Sequence, residues 1–321
     1  MSTDPLLPGV PLIESPLFAH HLATHGWSDA EREVATALNE KGYAVIDFPD
    51  PEIDARISRI KARLERHFGI RPDDPASIAG ITERRIQDAW AFDEDVRAIA
   101  ANEEVLNLLG RLYGRPAFPF QTLNFPVGTQ QAAHTDAVHF SSIPERFMCG
   151  VWLAMEDISL EAGPLMYVPG SHRWPVLSNT MIGRRGWQSE LHSAQAPFQQ
   201  VWSAMVESTG AVSETFAAKK GQALIWCANL LHGGSPQTNR ALTRWSQVTH
   251  YFFDDCVYYT PAFSDEPLGR LALRQIVNIA DGARKPNRYL GEDVSPAPPP
   301  SRKGGFARWL GGVLTKRRSR S

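Results

Sequence analysis

The sequence predicts a mainly β domain with flanking helices, built around a double-stranded β-helix, which is a jelly-roll, cupin-like core. Short strand-like segments separated by Gly, Pro and Asn fill the region from about residue 118 to 259. Helix-like segments precede them, and a His-x-Asp pair with a distant third His lies among the strands. Many short strands around such a set are typical of this core. A length of 321 residues suits one elaborated domain.

The elements follow from local patterns. A capping box at Ser28-Asp29-Ala30-Glu31 begins a helix that runs to about Lys41. Apolar residues at helical spacing predict a second helix, from about Pro51 to Phe68. The remaining predictions are a strand at 42–48, a helix at 93–112, and strands at 118–125, 133–140, 147–156, 165–168, 222–227 and 244–253.

The predicted domain spans residues 28–290, with an irregular, Pro-rich segment at 1–27 before it. Residues 172–216 do not continue the strand pattern, and a connection of this length predicts a lid-like insertion. Within it, Arg184-Arg185-Gly186-Trp187 is either a binding element for an anionic or aromatic substrate group or a solvated charged loop.

Residues 291–321 form a Pro-rich linker and a basic tail. Apolar residues beside the basic end are typical of a helix that lies on a membrane surface, so a weak membrane-surface contact is one hypothesis. A disordered tail is the other.

Composition excludes several classes of function. A formal net charge of −2 gives no general attraction to nucleic acid, so no nucleic-acid partner is expected. Three cysteines do not form a disulfide framework, and no apolar run has the roughly 20 residues of a membrane span. The first residues also lack the basic region of a signal peptide, so we expect a cytoplasmic protein. The oligomeric state stays open.

His134, Asp136 and His232 are the candidate metal ligands. Residues i and i+2 of a strand point to the same side, so His134 and Asp136 can reach one ion, and His232 would come from a strand distant in sequence. Two His and one carboxylate form the facial triad of non-haem Fe(II) oxygenases. The alternative is a set of hydrogen-bonded polar residues in the core. By the same parity, His139 is expected to face away from the ion.

Arg244 and Ser246 also share a strand face. A guanidinium and a hydroxyl beside a metal suit the distal carboxylate of 2-oxoglutarate, because the planar fork of Arg binds carboxylates bidentately. Arg240 is the competing candidate for this role.

The chain resembles the phytanoyl-CoA dioxygenase family of Fe(II)/2-oxoglutarate-dependent oxygenases over roughly residues 40–256. The resemblance depends on the blocks at 124–128, 134–136, 151–157, 163–172 and 232–236, of which Gly163-Pro164-Leu165 followed by Pro169-Gly170-Ser171-His172 is the most specific. It implies Fe(II), 2-oxoglutarate and O₂ as cofactor and cosubstrates. It also implies that Asn124 turns a polar side chain toward 2-oxoglutarate and that His172 is not a ligand.

The resemblance further implies hydroxylation of a small-molecule or acyl-type substrate, with release of succinate and CO₂. Related halogenases replace the carboxylate ligand by a small residue, and this chain keeps Asp136. Two alternatives remain: a binding or sensing module without turnover, and the same iron chemistry that ends in desaturation, cyclisation or epimerisation. Trp152 is expected to be a core residue, and His250 to lie in a strand.

Overall fold

A computed structural model of the chain describes residues 4–187, 189 and 193–294. Its α-helices in that part of the chain are α1 (Phe18–Thr24), α2 (Asp29–Lys41), α3 (Ile53–Phe68), α4 (Pro75–Ala79), α5 (Glu94–Ala100), α6 (Glu103–Tyr113) and α7 (Gln199–Thr209). Its strands are β1 (Tyr43–Asp47), β2 (Ile86–Gln87), β3 (Ala117–Phe125), β4 (Ser141–Ile143), β5 (Met148–Ala154), β6 (Leu165–Tyr167), β7 (Glu214–Phe216), β8 (Gln222–Cys227), β9 (His232–Gly234), β10 (Ser246–Phe253), β11 (Val257–Tyr259), β12 (Ile276–Val277), β13 (Arg284–Lys285), β14 (Arg288–Tyr289) and β15 (Glu292–Asp293).

The helix boundaries have local causes. The Ser28 hydroxyl accepts from the backbone N–H of Glu31, the Glu31 carboxylate accepts from that of Ser28, and this capping box begins α2. Gly42 ends the helix at a φ of +83°, which only glycine adopts without strain. The helix predicted at 93–112 is instead two helices, because the Asn102 side chain accepts from the backbone of Val105 and begins α6.

The largest sheet has six antiparallel strands in the order β1-β8-β5-β10-β3-β2. A second layer contains the three-stranded sheet β7-β6-β9, and β4 pairs with β11. Strands that are distant in sequence thus become neighbours, as in a double-stranded β-helix, and the predicted fold class is confirmed.

The core lies on both faces of the six-stranded sheet. One face packs against the helices through residues such as Leu38, Ile60 and Leu109, and the largest apolar cluster forms there. The opposite face carries Trp152 and Trp226 in a second cluster, toward the other strands. Because both faces are covered, β5 and β10 are buried along their whole lengths. The functional side chains of these strands are therefore held in packed surroundings.

Two predicted segments differ in the structure. The segment at 1–27 is not irregular throughout, because it contains α1 and a 3-10 helix at Leu12–Glu14. Leu12 and Ile13 of the 3-10 helix are buried in the main core. The strand predicted at 133–140 is also wrong: His134 makes a single β-bridge, and the chain turns at once into a 3-10 helix at Asp136–Val138.

The predicted lid-like insertion contains α7 and β7. Trp202 of α7 packs in a third apolar cluster with Val138 and Leu231. These two residues lie close in sequence to the metal-ligand candidates Asp136 and His232. The predictions for the basic tail fall on residues 295–321, outside the described residues. Among the helices of the described part, none combines the length and apolar character that crossing a membrane requires.

Candidate metal centre

His134, Asp136 and His232 come together in the structure. One ligand atom from each lies within 4.8 Å of the others. The Nε2 atoms of His134 and His232 each lie 3.9 Å from a carboxylate oxygen of Asp136, His134 from Oδ1 and His232 from Oδ2. All three residues are buried. Two imidazoles and one carboxylate at these separations can hold a divalent ion from one side.

A backbone bridge sets the two histidines side by side. The N–H of His134 donates to the carbonyl of His232 (2.8 Å), and the N–H of His232 donates back to that of His134 (2.9 Å). The ring centroids are consequently 4.6 Å apart. The 3-10 helix that begins at Asp136 then carries its carboxylate toward both rings. The predicted set is present, although a bridge and a turn form it rather than one regular strand.

Each imidazole is oriented by the backbone. Nδ1 of His134 lies 3.0 Å from the carbonyl oxygen of Ala132, and Nδ1 of His232 lies 2.9 Å from that of Leu230. A carbonyl only accepts, so Nδ1 of each ring carries a proton, and Nε2 is the atom whose lone pair faces the centre when the ring is neutral. This is how proteins commonly fix the tautomer of a metal-binding histidine.

The carboxylate of Asp136 is held through one oxygen. The indole Nε1–H of Trp226 donates to Oδ2 at 2.8 Å, and Nε2 of His250 lies 3.5 Å from the same atom. Oδ1 is thus the oxygen left for an ion. Burial by itself raises the pKa of Asp136, but the nearby imidazoles of His232 and His250 outweigh it and hold the pKa below its ordinary range.

His134 is ready to bind a cation at neutral pH. Burial, helped by the neighbouring His232, lowers the pKa of His134 to about 3. Its ring is therefore neutral, while Asp136 is ionised. Metal binding requires both of these states, so no proton must leave either ligand at pH 7.

The three residues open into a cavity of about 360 Å³. Both layers of strands contribute to its wall, and the lining residues are Arg85, Gln87, Gln121, Leu123, Phe125, Thr129, Gln131, His134, Asp136, His139, Phe140, Trp152, Leu165, Ser193, Ala194, Gln195, His232, Gly233, Gly234, Arg244 and His250. A partly polar, concave site of this volume suits a small molecule.

Arg244 brings a buried guanidinium into this cavity. The residue is 3 % exposed, and its Nη1 donates to the Ser246 hydroxyl at 3.3 Å. Its Nε has no hydrogen-bond partner, and among the described residues no carboxylate forms an ion pair with it. Burial lowers the pKa of Arg244 to about 10. A buried, unpaired guanidinium that lines a cavity fits the carboxylate of a bound molecule.

The competing arginine lies elsewhere: Arg240 is exposed and does not line the cavity. Asn124 also lies outside the cavity. Its strand neighbours Leu123 and Phe125 line the cavity, so the side chain of Asn124 points to the opposite face of β3. The Asn124 amide donates there to Gln247 at 3.2 Å. The structure thus contradicts the expected orientation of Asn124 toward 2-oxoglutarate.

Three residues face the cavity that sequence patterns placed elsewhere. His139 lines it because the 3-10 turn breaks the strand on which the parity argument depended. Trp152 lines it although it is also packed in the apolar cluster. His250 lies in strand β10, as expected, but close to Asp136, with Nδ1 2.9 Å from Oε1 of Gln121. Even-numbered spacing from Arg244 along one strand was the signal that could have found His250.

The lid contributes different residues from those expected. Arg184 bonds to Asn179 and Ser189 within the insertion, and the block at 184–187 does not line the cavity. Instead Gln195 reaches the site: its Oε1 accepts from Nε2 of Gln131 at 3.1 Å. That same Nε2 lies 3.2 Å from Nε2 of His134.

Solved structures share this fold. The epimerase SnoN from nogalamycin biosynthesis, described as non-haem and α-ketoglutarate-dependent, is 20 % identical with a TM-score of 0.51, over 71 % of this chain and 85 % of that one. The carbocyclase SnoK from the same biosynthesis is 16 % identical with a TM-score of 0.54, over 85 % and 95 %. EctD from S. alaskensis, solved with 2-oxoglutarate and 5-hydroxyectoine, is 19 % identical with a TM-score of 0.54, over 76 % and 84 %.

A search of curated proteins found no significant relative. The sequence model of the family described as phytanoyl-CoA dioxygenase matches residues 38–244, which is more than half of the chain and includes the triad and Arg244. The chain belongs to the phytanoyl-CoA dioxygenase family and is an Fe(II)- and 2-oxoglutarate-dependent enzyme.

Proposed function

We propose that this enzyme hydroxylates a small-molecule or acyl-type substrate with release of succinate and CO₂, and that His134, Asp136 and His232 bind the iron. Arg244, with Ser246 beside it, binds the distal carboxylate of 2-oxoglutarate. One observation carries the proposal: a two-His-one-carboxylate set and an unpaired buried guanidinium line the same cavity.

The protein's part in the reaction is positioning. When bound, Fe(II), 2-oxoglutarate and O₂ supply the oxidative decarboxylation that drives oxidation of a substrate C–H bond. The backbone carbonyls at Ala132 and Leu230 hold both imidazoles toward the ion. Trp226 holds the carboxylate of Asp136 in place. With iron bound, this carboxylate would occupy the position that a halide takes in related halogenases.

Iron binding is the first test. Anaerobic Fe(II) and 2-oxoglutarate should together give the weak visible charge-transfer band of a chelate in the wild-type protein. His134→Ala and His232→Ala should lose this band and all iron-dependent succinate release. His67→Ala is the matched control, because His67 is exposed on α3 and outside the cavity. A wild-type protein that binds no Fe(II), or histidine variants that match it, would refute the assignment.

The reaction outcome needs a second measurement. An epimerase and a carbocyclase share the fold, so product mass must separate hydroxylation, which adds one oxygen, from these other outcomes. Succinate release at single turnover separates an enzyme from a binding or sensing module. We also propose a cytoplasmic location, which the three buried free cysteines support.

A further inference from the structure

The cavity has a second region, formed by the lining residues that are not assigned to iron or 2-oxoglutarate. Of the described Arg, Lys, Asp and Glu residues, only Arg85 remains in this wall, and the other polar groups include amides, hydroxyls and the imidazoles of His139 and His250. Leu123, Phe140 and Leu165 supply apolar surface. Among the described lining residues the only acid is the metal-ligand candidate Asp136. This region thus offers one positive charge, several hydrogen-bonding groups and an apolar wall.

Arg85 directly precedes strand β2 and lines the cavity. Ile86 pairs with Asn124 and Gln87 with Leu123, so Gln87 and Arg85, two residues apart, lie on the cavity face of the sheet edge. The neighbouring Arg84 is used differently, because its Nη1 donates to the carbonyl of Gly128. Arg85 is exposed and lines the cavity, so it lies at the rim.

The acidic residues nearest to Arg85 in sequence, Glu83 and Asp88, contact other residues. The carboxylate of Asp88 accepts from Trp90 Nε1, from the backbone of Thr122 and from Gln87 Nε2, each at 3.1 Å. Glu83 lies 4.0 Å from His67. Within the described residues, Arg85 has neither an ion pair nor a side-chain hydrogen bond. Its guanidinium is therefore available to a ligand.

We infer that the substrate carries an oxyanion, a carboxylate or a phosphate, that binds Arg85, with an apolar part against Leu123, Phe140 and Leu165. This inference rests on the proposed function, since it assigns the part of the cavity that iron and 2-oxoglutarate leave. A guanidinium fork matches either oxyanion bidentately, and the two arginines of the cavity disfavour a cationic substrate. Gln87 adds hydrogen-bonding capacity on the same face.

Matched ligands test the charge requirement. The probes are hexanoate, hexyl phosphate, hexanamide and hexylamine, titrated into the protein loaded with Fe(II) and 2-oxoglutarate without oxygen. At least one anion should bind tenfold or more tightly than hexanamide, and the preferred anion identifies the oxyanion. Arg85→Gln should abolish this preference. Arg66→Gln is the control, because Arg66 is exposed on α3, away from the cavity, and should change nothing.

Several results would overturn the inference: equal binding of the amide or amine, binding of none of the probes, or an unchanged preference in Arg85→Gln. A rise in the 2-oxoglutarate Kd of Arg85→Gln comparable with that of an Arg244 variant would also overturn it, because Arg85 would then serve the cosubstrate. Failure of the wild-type protein to bind Fe(II) and 2-oxoglutarate would instead refute the proposed function, at a step that precedes any probe.

Discussion

Arg244→Met should make the ligand-free protein more stable and the enzyme unable to bind 2-oxoglutarate well. Burial lowers the pKa of Arg244 from 12.5 to about 10, which corresponds to about 3 kcal/mol of unfavourable free energy for the charged side chain at pH 7. Its guanidinium lies 5.6 Å from the ring centroids of Phe125 and Trp152, and these contacts offset about 1 kcal/mol. Met keeps an unbranched chain of similar shape. The free energy of unfolding should therefore rise by about 2 kcal/mol.

The same change removes the partner of the distal carboxylate. Losing a buried, charge-paired hydrogen bond costs about 2–5 kcal/mol, so the 2-oxoglutarate Kd should increase at least about 30-fold. Urea unfolding of the metal-free protein and anaerobic titration of the chelate band measure the two effects. Arg240→Met, at an exposed position outside the cavity, should show neither. A destabilised Arg244→Met with an unchanged 2-oxoglutarate Kd would refute the reasoning.

Three further outcomes are expected. Trp226→Phe removes the N–H that holds Oδ2 of Asp136, so the Fe(II) Kd from equilibrium dialysis should rise about 10-fold or more, and an unchanged Kd would remove Trp226 from the site. Gly150→Ala would place a Cβ 2.2 Å from Cζ2 of Trp226, so it should cost about 1–3 kcal/mol in urea unfolding and weaken Fe(II) binding as well; iron affinity equal to wild type would show that the indole does not move. Burial lowers the pKa of His172 to about 4, so between pH 6.5 and 4 the unfolded chain binds a proton that the folded protein does not. The free energy of unfolding should thus fall as the pH falls through that window, by up to about 1.4 kcal/mol per pH unit. His172→Gln should show a smaller fall, because His134 contributes equally to both proteins. Identical slopes of unfolding free energy against pH in the wild-type protein and the variant would contradict this.

The sequence was sufficient for the identity of the three ligand candidates but not for their surroundings. His134, Asp136 and His232 were recognisable because their spacing is a property of residues close along the chain, plus one remote histidine. The hydrogen bond from Trp226 to Asp136 had no such signal, since it joins residues 90 positions apart across two layers. Long-range packing of this kind depends on strand order, which local patterns do not specify.

Parity arguments were only as good as the strands that they assumed. They placed Arg244 and Ser246 on one face correctly, since Nη1 of Arg244 donates to the Ser246 hydroxyl, and β10 keeps its register with β3 from Ser246 to His250. They failed at His139, where the 3-10 turn at Asp136–Val138 rotates the chain. If the register of β3 had been known, the same argument would have excluded Asn124 from the cavity, because its odd-numbered neighbours Leu123 and Phe125 face the cavity.

The two backbone carbonyls that hold the imidazoles have a consequence for how this site tolerates mutation. Each carbonyl belongs to the residue two positions before its histidine, Ala132 or Leu230, and every amino acid supplies a carbonyl there. No side-chain replacement at these two positions removes the carbonyl that accepts the hydrogen bond. The orientation of the two histidines therefore does not depend on which amino acids occupy positions 132 and 230. Asp136 lacks this protection, because its orientation depends on the indole of Trp226. Random mutagenesis should therefore impair the site at the carboxylate's support more often than at the support of either histidine.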